Sequence, residues 1–148
     1  MVIRLSVKRW IDLLAFEAGV NVLLYRILAD VRILTPGGWS PIEDGVIDTG
    51  NPVAVIPRSV WMGASVEFLT QVSRSIHGLG STESTALRGR LGRVFLRLED
   101  QESTSPPVET MAYLLDDDRA PLLLGCEGVL TRAILRVNLA ALEASLEF

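Results

Sequence analysis

The stretch "GVIDTGNPVAVIP", residues 45–57, places an ionisable side chain between two apolar runs. Asp48 follows Val46 and Ile47, and the apolar run 53–56 comes shortly after it. A carboxylate buried without a partner is costly. Asp48 is therefore either an ordinary turn residue that bonds the backbone two residues on and reaches water, or a group whose charge the protein uses.

The segments around this stretch predict short strands separated by turns. Residues 25–34, "YRILADVRIL", and residues 92–99, "GRVFLRLE", alternate between apolar and polar side chains. Residues 121–125, "PLLLG", form an apolar run closed by glycine. Residues 8–18 fit either a helix or a first strand, and the tail 140–148 is typical of a short helix. This spacing indicates a mostly-β domain of the closed or sandwich type.

Composition limits the class of protein. The 148 residues suit one domain, and a hydrophobic content of 49% predicts an apolar interface or cleft beyond the core. The net charge of −4 argues against nucleic acid as a partner. Charged and polar residues interrupt the apolar stretch 13–34, which falls short of the ~20 apolar residues that a membrane span needs. With one cysteine and no signal-peptide pattern at the start, we expect a soluble cytoplasmic protein with no membrane partner.

Four segments, in order, resemble the retropepsin-like aspartic peptidases over about residues 20–139. The segment "VIDTGNPVAVIP" resembles their catalytic loop and the strand after it, and "IHGLGSTES" resembles their flap. "LRGRLGRVFLRLED" is similar to the strands that follow the flap, and "PLLLGCEGVL" to their apolar-apolar-Gly segment with its short helix. The likeness is nearer to cellular and bacterial members, including the protease-like domain of the ubiquitin-associated Ddi proteins, than to the retroviral enzymes.

The resemblance implies a fold and a site. The fold would be a single-lobe, all-β acid-protease domain over residues 1–148, with one or two short helices. Asp48 would be the catalytic residue. The loop that carries it would be supported by Thr49, Gly50, Leu123, Leu124 and Gly125. The flap that covers substrate would contain His77, Gly78, Leu79, Gly80 and Ser81.

The chemistry implied is peptide hydrolysis by two carboxylates that share one proton, one acting as base and the other as acid. The chain contains one Asp-Thr-Gly, so the second carboxylate would come from another copy in a homodimer. The apolar tail 139–148 is a candidate surface for that contact. The expected substrate is a peptide or protein, and neither a cofactor nor a metal is needed. The alternative is a non-catalytic module of the same fold that dimerises or binds peptides.

The sequence also departs from the family pattern. Asn51 and Pro52 stand where many members have alanine and a variable residue, and Cys126 stands where retroviral members have an arginine that pairs with an acid. Glu127 replaces the usual aspartate or asparagine after the glycine, which keeps the acid but lengthens the side chain. These changes affect the expected interface more than the expected chemistry.

Competing sites are weaker. The chain has a single histidine, His77, which excludes a multi-histidine zinc site. A cysteine hydrolase in which His77 pairs with Cys126 is a remote third hypothesis, because we expect Cys126 to be a buried, inert thiol. The acidic run 116–118 fits a solvated strand end better than a calcium loop. Trp39 and Trp61 are expected to serve packing.

Overall fold

The computed structural model describes residues 1–76 and 86–148, and within these ranges the chain is mostly β, as predicted. The strands are β1 (Val2–Ile11), β2 (Leu23–Thr35), β3 (Gly38–Trp39), β4 (Glu43–Ile47), β5 (Ala54–Ile56), β6 (Glu67–Phe68), β7 (Arg74–Ile76), β8 (Leu87–Glu99), β9 (Val108–Leu115), β10 (Leu123–Leu124), β11 (Ile134–Asn138) and β12 (Glu143–Glu147). Three short helical segments, rather than one or two, accompany them: α1 (Leu13–Glu17), α2 (Arg58–Trp61) and the distorted α3 (Cys126–Leu130). None of these helices has the length and apolar character to cross a bilayer.

Six strands close into a barrel in the order β2-β4-β10-β5-β9-β8, because β8 pairs with β2 as well as with β9. Strand β10 lies between β4 and β5, so Leu123 pairs with Val46 on one side and with Val55 on the other. The β4–β10 and β5–β9 pairings are parallel. The interior is filled by side chains that alternate along the strands, among them Val31, Ile33, Ile47, Ala54, Ile56, Val94, Leu96, Ala112, Leu114 and Leu124.

The alternation predicted at 25–34 and at 92–99 is confirmed where the strands belong to the barrel. Val31 and Ile33 of β2, like Leu96 and Leu98 of β8, are fully buried. Tyr25, at the start of the first pattern, is exposed. This part of β2 has left the barrel and pairs only with β1, so its apolar face meets no core.

The two ends of the chain belong to the core, which therefore extends beyond residues 20–139. Strand β1 pairs with β12, and β12 pairs with β11. Ile3, Leu5, Ala144 and Leu146 join the main hydrophobic cluster. The helix predicted for the tail is wrong: residues 143–147 form a strand in which apolar and polar side chains alternate with a period of two, and pairing with β1 outweighs the local preference for helix.

Residues 8–18, which fitted strand and helix equally well, contain both. Strand β1 runs to Ile11, and α1 follows after Asp12, whose carboxylate accepts hydrogen bonds from the backbone N–H groups of Leu14 (3.0 Å) and Ala15 (3.2 Å). Together with the start of β2, this segment forms a two-stranded ribbon that projects from the barrel. We call residues 10–25 the arm.

The tail's place in the core gives a stability prediction. Leu146→Ala should lower the free energy of unfolding by about 2–5 kcal/mol, because it leaves a cavity beside Ile3 and its neighbours in the core. The matched control Leu139→Ala, at an exposed position, should change it by no more than about 0.5 kcal/mol. Urea unfolding of both variants measures this, and equal small effects would contradict a core that includes the tail.

Candidate active site

Asp48 begins the loop that joins β4 to β5, and β10 fixes where that loop starts. The backbone N–H of Val46 donates to the carbonyl of Leu122, and the N–H of Asp48 donates to the carbonyl of Leu124, both at 2.9 Å. The parallel pairing of β4 with β10 therefore continues to Asp48 itself. The structure brings Leu123 and Leu124 directly beside the Asp-Thr-Gly segment.

The far side of the same loop is held by the residues that follow β10. The N–H of Cys126 donates to the carbonyl of Asn51, and the N–H of Glu127 donates to the carbonyl of Pro52, both at 2.9 Å. At Gly125 a side chain has no room, because a Cβ there would overlap the Val53 carbonyl group. Residues 124–127 thus hold the loop 48–53 through backbone hydrogen bonds, and we call these four residues the clamp. Glycine at position 125 permits the close approach.

The Asp48 carboxylate has two partners within its own loop. Oδ1 accepts a hydrogen bond from the Gly50 N–H at 2.9 Å, and Oδ2 accepts one from the Asn51 side-chain amide at 2.5 Å. Asp48 is half-buried, while Gly50 is exposed. The turn bond expected of an ordinary Asx turn is therefore present, and it fixes the direction of a carboxylate that still reaches the surface.

Asn51 also belongs to the candidate site. Its position stands out in the sequence only because many retropepsin-like peptidases have alanine there, yet its amide donates a hydrogen bond to Oδ2 of Asp48. The signal for it is an amide side chain three residues after an acid in a tight loop, where polar side chains commonly make local hydrogen bonds.

Thr49 lies exposed at the tip of the loop. Within the described part of the chain its hydroxyl makes no hydrogen bond, although its carbonyl accepts a contact from the Cys126 thiol at 3.5 Å. Cys126 is half-buried, so the expectation of a fully buried thiol is wrong. The distorted α3 turns the cysteine toward the loop surface, where Thr49 meets it.

Glu127 anchors the clamp to the barrel. Its Oε2 accepts a hydrogen bond from the Met111 N–H at 2.6 Å, and its carbonyl accepts one from the Thr110 hydroxyl at 2.8 Å. Gly128 next to it has φ of +86°, and a Cβ there would lie 2.6 Å from the Thr110 Cβ. The longer acid at position 127 thus ties β9 to the segment that holds the Asp48 loop.

A small apolar cluster lies outside the barrel, next to the clamp. It contains Val55, Ile76, Leu87 and Leu115, with Leu123 packed against it. Val55, Leu115 and Leu123 alternate with core residues on their strands, so they face away from the barrel interior. Ile76 and Leu87 pair with each other at the ends of β7 and β8. The expected flap residues His77, Gly78, Leu79, Gly80 and Ser81 follow β7 and lie outside the described residues.

The competing sites have structural roles. In the acidic run after β9, Asp116 accepts a hydrogen bond from the Ser73 hydroxyl (2.6 Å), and Asp118 accepts one from the Ser59 N–H (2.7 Å). The backbone N–H and guanidinium of Arg119 hold the pKa of the Asp117 carboxyl below its usual range. Across residues 1–76 and 86–148, no group of three or more His, Cys, Asp or Glu side chains is arranged to hold a metal ion.

Trp39 and Trp61 both pack against neighbouring side chains, as expected. Trp61 donates from Nε1 to the Leu115 carbonyl (2.8 Å) and meets Phe68 edge to face. The Arg97 guanidinium lies over the Trp39 ring, 4.7 Å from its centroid.

The sequence matches no protein-family model and no curated protein.

The clamp can be tested through its glycine. Gly125→Ala should lower the free energy of unfolding by at least about 1 kcal/mol, because the added methyl group meets the Val53 and Asn51 carbonyls and forces the loop to move. Gly63→Ala is the matched control, since a Cβ there has no neighbour within 4 Å, and it should change stability by no more than about 0.5 kcal/mol. Denaturant unfolding compares the two, and a Gly125→Ala protein as stable as the control would contradict the clamp.

Proposed function

We propose that this protein is an aspartic endopeptidase with a retropepsin-like fold, and that Asp48 supplies one carboxylate of a shared dyad. The observation that carries the proposal is the way this carboxylate is held. The loop around it is bonded on both sides by backbone groups of residues 124–127, and Asp48 itself accepts from Gly50 and Asn51 while remaining partly exposed. A fixed, accessible carboxylate is what general acid–base chemistry needs.

The relation between the Asp-Thr-Gly loop and the apolar-apolar-Gly segment supports the proposed fold. The resemblance requires Leu123, Leu124 and Gly125 to pack against the loop, although they lie about 75 residues further along the chain. Pairing of β10 with both β4 and β5 is consistent with that requirement. The closed all-β barrel is consistent with it as well.

In the proposed mechanism two Asp48 carboxylates, one from each copy, hold a single proton. The ionised carboxylate takes a proton from a water molecule as that water attacks the peptide carbonyl. The protonated one supports the carbonyl oxygen, and a proton then passes to the leaving amine. Thr49, exposed beside Asp48, is free to bond across the twofold axis. No cofactor or metal takes part.

The proposed substrate is an extended peptide held by backbone hydrogen bonds, with apolar side chains near the cleaved bond. The cluster formed by Val55, Ile76, Leu87, Leu115 and Leu123 supports this preference, because it lies outside the barrel beside the clamp and between the strands that flank the expected flap. These apolar side chains favour apolar substrate side chains over charged ones, because the contact removes apolar surface from water.

A non-catalytic module remains the second candidate, and one observation favours it. The two bonds to Asp48 close a tight turn, and such a turn stabilises a loop whether or not the acid reacts. The two candidates differ in what happens when only the charge of Asp48 is removed.

Asp48→Asn should reduce peptide cleavage by roughly 100-fold or more, because an amide cannot exchange the proton that the reaction needs. The urea midpoint should stay near that of the wild type, since the substitution keeps the shape of the side chain. Asp44→Asn is the matched control: Asp44 is an exposed acid on β4, and its loss should leave the rate unchanged. A library of mixed peptides serves as substrate, and full activity of Asp48→Asn, or complete inactivity of folded wild type, would contradict the peptidase.

Mixing wild type with a ninefold excess of Asp48→Asn chains should reduce the activity per wild-type chain to about one tenth. With random pairing, only about one wild-type chain in ten then meets a second intact acid across a twofold axis. A ninefold excess of Asp44→Asn chains is the control and should cause no such loss. Activity that is insensitive to Asp48→Asn chains would mean that each chain works alone.

A further inference from the structure

Large exposed apolar side chains are concentrated in the arm. Leu13, Leu14 and Phe16 at its tip have exposed fractions of 72%, 79% and 58%. The five-residue α1 buries none of its side chains. The full set of large exposed apolar side chains in the arm is Trp10, Ile11, Leu13, Leu14, Phe16, Val20, Val22, Leu23, Leu24 and Tyr25.

No third strand pairs with the two strands of the arm in the described part of the chain. In the arm β1 pairs only with β2, and the ribbon exposes apolar side chains on both of its faces, for example at Trp10 and Ile11. A two-stranded ribbon of this kind is marginal alone in water. So many exposed apolar side chains in one short segment indicate a binding partner.

The register of β2 shows where the arm projects. Leu28 pairs with Val46, and Ala29 pairs with Gly45. The same antiparallel register, continued by two residues, sets Arg26 level with Asp48. The arm begins beyond that point, so it leaves the barrel at the end where the Asp48 loop lies.

We propose that the arm docks on a second copy of this chain and completes the contact that brings two Asp48 loops together. The inference rests on the proposed function, which needs a second copy at this end of the barrel. A twofold axis buries both arms at once, because the same surface meets itself. The strongly apolar character of the arm matches that of permanent homodimer interfaces.

Charge along the arm supports this occupant. Lys8, Arg9 and Arg26 lie at the base, whereas Glu17 lies at the exposed tip. Two arms that cross in opposite directions bring the acidic tip of each toward the basic base of the other, which favours one arrangement of the dimer. The tail 139–148, first considered for this contact, is less available, because Ala144 and Leu146 are buried within their own chain.

The test compares dimer dissociation constants by sedimentation equilibrium. The double variant Leu14→Ser/Phe16→Ser should weaken the wild-type dimer at least about tenfold, because it removes two exposed apolar contacts. The matched control Ile134→Ser, at a position 57% exposed on β11, should leave the constant unchanged. Val20→Ser, 54% exposed in the same arm, is a second variant that should weaken the dimer even if the double variant does not fold.

Each outcome separates this inference from the proposed function. Arm variants that dimerise like the wild type overturn the role of the arm, whether or not they cleave peptide. A wild-type dimer that dissociates in the arm variants but never cleaves peptide supports the arm and overturns the peptidase. A monomeric wild type overturns the inference, and its sedimentation with phosphatidylglycerol vesicles would assign the arm to a lipid surface instead.

Discussion

The candidate site depends on one constraint, the insertion of β10 between β4 and β5. Because Leu123 pairs with both neighbours, the chain immediately after β10 is forced against the loop that joins them. The backbone groups of residues 124–127 then bond the loop on both sides of its tip. Gly125 allows this approach, since any larger residue would overlap the Val53 carbonyl. The backbone position of Asp48 is thus set by the closure of the barrel.

The side chains of Asn51 and Glu127 add to the backbone bonds that position Asp48. The Asn51 amide donates to Oδ2 of Asp48, so the carboxylate has a defined direction even in one copy of the chain. Glu127 reaches back to Met111 on β9, which makes the clamp part of the barrel wall. In the proposed dimer this order would be an advantage, because a group already held in place loses little freedom when substrate binds. The fixed direction of the Asp48 carboxylate is therefore the property that the proposed chemistry needs.

Part of this arrangement could be predicted from the sequence. Alternation with a period of two identified β2 and β8, because one face of each strand belongs to the core. Local preference fails at the tail: its Ala, Leu and Glu residues favour helix, but pairing with β1 makes residues 143–147 a strand. The clamp is made of backbone hydrogen bonds between residues about 75 positions apart in the chain. A local sequence pattern does not predict such long-range bonds. The apolar surplus predicts an interface or cleft without locating it, whereas the register of β2 against β4 places the arm at the Asp48 end of the barrel.

The number of inhibitor molecules bound per chain shows whether two chains share one active site. A set of statine-containing peptides with varied apolar flanks, which imitate the tetrahedral transition state, can be titrated into the protein by calorimetry. One site built from two Asp48 carboxylates predicts one inhibitor for every two chains, and no binding to Asp48→Asn. Binding of one inhibitor per chain, or tight binding that survives Asp48→Asn, would contradict a shared dyad.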